Sequence, residues 1–512
     1  MYSLYIIMKN NKGGNVLASG GYGCVFSPAL QCEGETHRSN GKISKLMSER
    51  HATEEYEEIN SIKQKLKTIK NYQDYYLIYD ATLCKPKKLT ETDLTDYSKK
   101  CTALPKDKIT KENINENLDK LLSLNIPNGG VPVDDYIYNN GTFEKVYVLH
   151  RSLVKLLKKG IIPMNNKNIY HCDIKDSNVL VDESVRAVKK IQTRLIDWGL
   201  CTEYKPFKNE AFPKTWRNRP LQFNVPFSVI LFSDSFVEKY TNFIKDGGKP
   251  EEARLTPFVI DYVSFWMKER GAGHYKFINE MMYTLFSNSL TNIAVSDRPT
   301  VVETQITMEY IVNYIVNVLV HYTKFRNDGT LNLRDYLDNV FIKIVDIWGF
   351  IALYFPIIEL LFNNYTALSE NELKIFNKIQ YLFVEYLYKP RITKIDINLL
   401  YKDLNDLGGL IQFQIKGTIQ SDKLSINSTI TNTNTNNVGE LIKSSKNIYN
   451  SKTNYASKSK NNTSYHIKRT LKTKRNLIRN NTFNKYKIKS NLTFKRRPKQ
   501  KRFRNPIFLS LK

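Results

Sequence analysis

The run from Ile344 to Phe362, IVDIWGFIALYFPIIELLF, must leave water wherever it folds. A bilayer or the interior of a large domain could take it. Asp346, Pro356 and Glu359 interrupt the run, and a charged group at membrane depth costs roughly 2.5–3.5 kcal/mol even on insertion scales. A helix apolar on every side is also what the core of a large globular domain needs. The run therefore predicts a buried core helix and no membrane partner.

A chain of 512 residues has ample length for such a core. Its net charge of +27 is uneven: 24 of the 77 Lys and Arg lie in residues 411–512, with only Asp422 and Glu440 from the 50 acids. The rest of the chain is close to neutral. From about residue 413 the sequence turns to Asn, Ser, Thr and Lys with few aliphatic runs. Such a stretch buries too little surface to offset chain entropy, which predicts a disordered basic tail over 413–512. The cysteines (Cys24, Cys32, Cys84, Cys101, Cys172 and Cys201) form no C-x-x-C pair and are few for a disulfide framework. They predict free thiols in a reducing, intracellular setting. No charged n-region leads into an apolar run at the start, so no signal peptide is expected.

Residues 16–46 alternate apolar and polar around a glycine cluster, which predicts strand, turn, strand. Between Ser48 and Lys70, Ile59, Ile62, Leu66 and Ile69 recur on one helical face, with Glu55 and Glu58 near that stripe. Asn128-Gly129-Gly130 signals a turn. Leu149, Leu153, Leu156 and Leu157 put a helix over 142–160. The aromatic-rich 228–340 stretch and residues 341–412 read as further helices.

The segment His171-Cys172-Asp173-Ile174-Lys175-Asp176-Ser177-Asn178 sets a carboxylate, an ammonium and an amide at close spacing. Asp197-Trp198-Gly199 follows the apolar pair Leu195-Ile196. A carboxylate at Asp173 can receive the proton of an acceptor hydroxyl. Asn178 and Asp197 offer oxygens to a hard cation such as Mg²⁺, which bridges β- and γ-phosphates in phosphoryl transfer.

These residues resemble the protein-kinase signature set. HCDIKDSN is similar to the catalytic loop H-R-D-L-x-x-x-N, and Asp197-Trp198-Gly199 to D-F-G. The resemblance implies Asp173 as catalytic base, Lys175 on the transferred phosphate, and Asn178 and Asp197 as Mg²⁺ ligands. Upstream, Leu17-Ala18-Ser19-Gly20-Gly21-Tyr22-Gly23-Cys24-Val25 resembles the glycine-rich loop G-x-G-x-x-G-x-V that covers ATP, with Ala18 in place of the first glycine. Lys42-Ile43-Ser44-Lys45 is similar to V-A-I-K, which makes Lys45 the phosphate-positioning lysine and Lys42 the alternative. Its glutamate partner is Glu55, with Glu58 as the second choice. Asp346-Ile347-Trp348-Gly349 resembles the start of the central buried kinase helix, whose aspartate holds the catalytic loop from below.

Two departures stand out. Cys172 replaces the arginine that normally pairs with an activation-loop phosphate, so switching by phosphorylation loses its usual partner. The A-P-E motif is missing, and Asn224-Val225-Pro226-Phe227 stands about where it should be. The set as a whole is most similar to divergent kinase-like proteins of large, mimivirus-like DNA viruses. That similarity implies a host cytoplasmic, nuclear or virion location.

The expected fold is α+β and bilobal. A small β-rich lobe spans 14–125 and a mainly helical lobe 126–412, with a helical insertion at about 228–340. The expected activity is ATP- and Mg²⁺-dependent transfer to Ser or Thr of a protein substrate by a monomer. Lys175 is the Ser/Thr-type residue in the loop. Two rivals are a pseudokinase scaffold and a small-molecule kinase of the aminoglycoside or choline type. The tail, with clusters such as Lys495-Arg496-Arg497 beside Phe494, suits nucleic acid or an acidic partner.

Overall fold

Alternating burial in residues 15–48 produces three antiparallel strands: β1 (Asn15–Ser19), β2 (Gly23–Ser27) and β3 (Lys42–Ser48). The computed structural model describes residues 15–430, apart from 185–190, 209–212, 214–215, 328, 330 and 364. The chain continues into α1 (Glu49–Leu66). After β4 (Thr82–Cys84) and β5 (Leu121–Pro127), the five strands form an antiparallel sheet in the order β1-β2-β3-β5-β4. The register pairs Val25 with Lys45 and Cys24 with Leu46. Successive side chains point to opposite faces, so Val25 and Lys45 share one face and Cys24 and Leu46 the other. Helix α1 packs against β3 and β5, burying Ala52, Ile59, Ile62 and Leu66.

The face that carries Cys24 and Leu46 is covered by the long connection between β4 and β5. Leu89, Leu94, Tyr97, Leu104, Ile109 and Ile114 form one apolar cluster with Val16, Cys24, Phe26 and Leu46. Each such side chain contributes about 1.5–3 kcal/mol on burial. One disulfide, Cys24–Cys101, fastens this cover to β2, and a second, Cys32–Cys84, ties the β2–β3 connection to β4, with Cα atoms 5.3 and 5.8 Å apart. The expectation of free thiols fails for these four cysteines and holds for Cys172 and Cys201, both buried. The partners are 77 and 52 residues apart in sequence. The folding back of the β4–β5 connection brings Cys101 to Cys24, and the β2–β3 connection brings Cys32 to the end of β4, meetings that a search for local cysteine spacing cannot detect.

The remainder is mostly helical, with short strands around one loop. A three-stranded sheet joins β6 (Val131–Pro132), β8 (Val179–Asp182) and β9 (Gln192–Leu195), while β7 (Ile169–Tyr170) pairs with β10 (Thr202–Glu203). Helix α2 (Phe143–Leu156) buries Leu149, Leu153 and Leu156, and Leu157 beyond it is buried too. Residues 228–340 contain α3 (Asp234–Lys245), α4 (Glu252–Arg270), α5 (Tyr275–Leu285) and α6 (Met308–Tyr322). After them come α7 (Ile342–Ala352), α8 (Phe355–Phe362), α9 (Glu370–Phe383) and α10 (Ile397–Ile430).

The apolar run is thus two helices, α7 and α8, with a break at Leu353–Tyr354 just before Pro356. By length and composition the Arg334–Phe362 stretch could cross a membrane, but 89% of its apolar window is buried inside the protein. Among the described residues, those up to Ile137 and from Gly141 to Gln414 form one compact unit; Tyr138–Asn140 and those from Ile415 group separately. Two expected boundaries shift. β5 runs through 125 to Pro127, because its pairing with β3 extends to Lys42. Helix α10 continues past 412 to Ile430, where helix continuity replaces the expected loss of structure. The basic clusters of the tail lie outside the described residues.

Candidate active site

Two loops and one helix build the site. The first loop, His171–Asn178, runs from β7 to β8. Cys172 has φ 59° and Asp197 φ 63°, left-handed conformations that cost a residue with a side chain about 1–2 kcal/mol and persist only where surroundings impose them. For Cys172 the surroundings are visible. Its backbone N–H and that of His171 both donate to Asp346, at 2.8 Å to Oδ1 and 2.9 Å to Oδ2. Asn165 Nδ2 donates to Oδ2 at 2.7 Å. Asp346 is fully buried on α7. Burial pushes its carboxyl up, opposed by the neighbouring His171 and by these donors.

The next residues of α7 serve the same loops. Trp348 Nε1 donates to the Phe223 carbonyl at 2.8 Å. A Cβ on Gly349 would stand 2.5 Å from the Ile174 carbonyl oxygen, so only glycine lets the loop rest on the helix there. Asp346, Trp348 and Gly349 therefore hold three points of the site within one helical turn.

The arrangement centres on Asp173, which is buried. Its Oδ2 accepts from Lys175 Nζ at 2.8 Å and Asn178 Nδ2 at 2.9 Å, and its Oδ1 accepts from Asn224 Nδ2 at 2.8 Å. Burial works against the charged carboxylate. The Lys175 ammonium and the hydrogen bonds from Lys175 and Asn224 outweigh that and hold it below its ordinary value. Asn178 Nδ2 also donates to the Asp173 carbonyl at 2.8 Å, which leaves its Oδ1 as the atom for a cation. The Asn178 carbonyl accepts from Ile196 N at 3.0 Å, joining this loop to the Asp197 turn. Trp198, buried after that turn, packs its ring 4.8 Å from His171 and 5.8 Å from Tyr76.

Lys45 pairs with Glu55 of α1, its Nζ lying 2.8 and 2.6 Å from the two carboxylate oxygens. Lys42 is engaged elsewhere, with Asp80. Glu58, half-buried, has its carboxyl pushed up to about 7. Burial is the main cause, then repulsion from Glu55 and Asp197, with Lys45 opposing. Gly20 lies over Lys45: a Cβ there would stand 3.5 Å from Lys45 Cε. Gly23 admits no side chain, since a Cβ would meet Met47 Cγ at 2.2 Å. Leu17, Ala18, Gly20, Gly21 and Tyr22 are exposed, and Ser19 and Val25 partly so. The Ser19 hydroxyl accepts from Thr102 N and Ala103 N, at 3.1 and 3.0 Å. Cys24 departs from its expected place. Its side chain turns into the disulfide-bonded cover, leaving only its backbone for a ligand on the Lys45 face.

The donor set fits a magnesium nucleotide. Among the described residues no three His, Cys, Asp or Glu side chains gather as a protein-only metal site. Mg²⁺ needs less, since it is held through one or two carboxylates plus phosphate oxygens and water. Asn178 and Asp197 carry hard oxygens of the kind it takes, and in the glycine turn above Lys45 a Cβ on Gly21 would meet no heavy atom within 4 Å. Asn224 and Arg219, which both approach Asp173, were not among the expected site residues. The sequence signal for Asn224 was its place in Asn-Val-Pro-Phe; Arg219 had none. No protein-family model matches this chain, and no curated protein matches it.

Proposed function

We propose that the chain is an ATP- and Mg²⁺-dependent protein kinase with a bilobal kinase-like fold, transferring the γ-phosphate to Ser or Thr of a protein. One observation carries this reading: Asp173 is buried and held by Lys175, Asn178 and Asn224, while α7 fixes the loop beneath it. A carboxylate so oriented receives the proton of an attacking hydroxyl. Lys175, 2.8 Å from it, is placed to neutralise charge on the group in transfer. The Lys45–Glu55 pair under the glycine turn suits the α- and β-phosphates. Bound Mg²⁺, held by Asn178 and Asp197, would supply charge neutralisation between the phosphates.

The test is acceptor choice. Wild-type protein with Mg²⁺ and γ-labelled ATP is offered generic Ser/Thr proteins in one arm and aminoglycosides and choline in the other. The reading expects label on protein Ser or Thr. Label on the small molecules alone favours the rival enzyme, and no label in either arm favours the scaffold.

A further inference from the structure

Cys172 leaves the loop before Asp173 without an arginine, yet an arginine reaches the same place from elsewhere. Arg219 is almost wholly buried, 6% exposed. Its Nη1 donates to the Cys172 carbonyl at 2.9 Å and its Nε to Gln222 Oε1 at 2.7 Å. Its Nη2 makes no hydrogen bond and lies 3.9 Å from Asp173 Oδ1, the oxygen that Asn224 also holds. A guanidinium taken out of water this far is costly unless a carboxylate offsets it. Asp173 is the carboxylate in place.

The helices of 228–340 fasten the backbone that carries Arg219. Trp266 Nε1 on α4 donates to the Arg219 carbonyl at 3.0 Å. Arg270, at the end of α4, donates twice to the Asn218 carbonyl, at 3.1 and 2.8 Å. His274 N donates to the Leu221 carbonyl at 2.9 Å. Gly273, at φ +55°, admits no side chain, since a Cβ would stand 2.3 Å from the Leu221 oxygen. The same region holds an earlier part of the segment. Asp338, fully buried, accepts from the Tyr204 hydroxyl and from Phe207 N, at 2.5 and 2.8 Å.

We propose that Arg219 is a positioning residue for the transfer reaction, and that the 228–340 helices are a built-in clamp. The clamp keeps the segment after Asp197-Trp198-Gly199 on the Asp173 loop with no phosphate attached to it. This rests on the kinase reading above. Arg219 touches neither nucleotide nor acceptor; it acts through the Cys172–Asp173 peptide and the Asp173 carboxylate. A misplacement of about 1 Å at a reacting group costs on the order of 100-fold in rate, so loss of Arg219 falls on kcat, while nucleotide binding at Lys45 and Asp197 is spared.

The experiment uses the full chain, dephosphorylated by a phosphatase and checked by mass spectrometry, with Mg²⁺, ATP and a generic Ser/Thr protein substrate. The dephosphorylated wild type is expected to keep its rate within about twofold. Arg219→Met is expected to lose about 100-fold in kcat, with KM for ATP within about threefold, and Arg219→Lys to recover part of the loss. Trp266→Phe keeps an aromatic side chain but removes the indole N–H together with the five-membered ring, and is expected to lower kcat about tenfold at an unchanged fold by circular dichroism. Wild-type kcat in a folded Arg219→Met, or in Trp266→Phe should Arg219→Met not fold, overturns the clamp and leaves the kinase reading standing. So does activity that disappears on dephosphorylation. A wild type that transfers no phosphate overturns both.

Discussion

Asp346 and Cys172, 174 residues apart, meet at 2.8 Å, carboxylate oxygen to backbone N–H. That contact joins a helix buried along almost its whole length to the loop that carries Asp173. The His171 N–H and Asn165 amide complete the set on the same carboxylate. Replacing Asp346 by Ala leaves three donors without a partner in a buried place. At about 1–3 kcal/mol for an unsatisfied buried group, a loss of about 3 kcal/mol or more in unfolding free energy is expected. Denaturant titration measures it. Asp346→Asn, which keeps one acceptor oxygen, should lose less stability but still lower the rate, because the Cys172–His171 turn loses half its support.

Lys45 of β3 and Glu55 of α1 form an ion pair between the sheet and the helix. Lys45→Met is expected to lower kcat/KM for ATP by about 100-fold or more, the cost of removing one preorganised donor at a reacting group. Glu55→Gln should lose less, since the lysine survives with weaker orientation. Steady-state kinetics over a range of ATP concentrations decides this, and an unchanged kcat/KM in Lys45→Met would remove Lys45 from the site.

The Asp173 carboxyl is held below its ordinary range, so it stays ionised through neutral pH. A general base must be ionised, and its acid limb in kcat/KM should therefore lie below about pH 4, the usual aspartate value. Lys175→Met removes the largest stabilising charge and moves that limb upward. The stability contribution has the same sign: it is present above the unfolded-state value and lost as pH falls through the folded one.

Glu58 has the opposite sign. Its folded-state carboxyl sits at about 7, above the ordinary value, so the folded protein holds that proton more tightly than the unfolded chain. In nucleotide- and metal-free protein its contribution is present at acid pH and lost as pH rises through about 7. Glu58→Gln should match the wild type in thermal midpoint at pH 5 and exceed it at pH 8. Equal midpoints at both values would contradict this account of Glu58.

The cover over the first sheet depends on oxidation. In the chain-entropy view, closing loops of 77 and 52 residues is worth about 4 kcal/mol each. Reduction with a phosphine should lower the thermal midpoint by several degrees, and Cys24→Ser with Cys101→Ser should reproduce part of that loss in the oxidised protein. Trapping with a thiol-reactive mass tag before and after reduction counts the cysteines that were bonded.

Legibility in the sequence followed locality. The glycine turn, Lys45, the His171–Asn178 loop and the Asp197 turn are chemical groups at fixed short spacing, and each forms a local unit that can be read before folding. Asp346 was readable for a different reason: an acid inside an apolar run has few explanations. Helical periodicity placed α1 and α2 through Ile59, Ile62, Leu149 and Leu153. The cysteine pairs were hidden, because Cys24 meets Cys101 only after the β4–β5 connection folds over the sheet. Arg219 was hidden too. Nothing distinguishes it from neighbouring basic residues until Trp266 and His274 fix its backbone against the loop. The break between α7 and α8 was announced by Pro356, but the continuous hydropathy masked it.

Phosphoryl transfer is the direct readout of Asp173 as the base. Purified full-length protein is given Mg²⁺, γ-labelled ATP and a Ser/Thr protein substrate, beside Asp173→Asn and Asp197→Ala variants of matched thermal midpoint. Label on Ser or Thr is expected with the wild type, and a rate lower by at least about 100-fold in both variants. A folded wild type that labels no protein, or an Asp173→Asn variant that labels at the wild-type rate, would contradict that role.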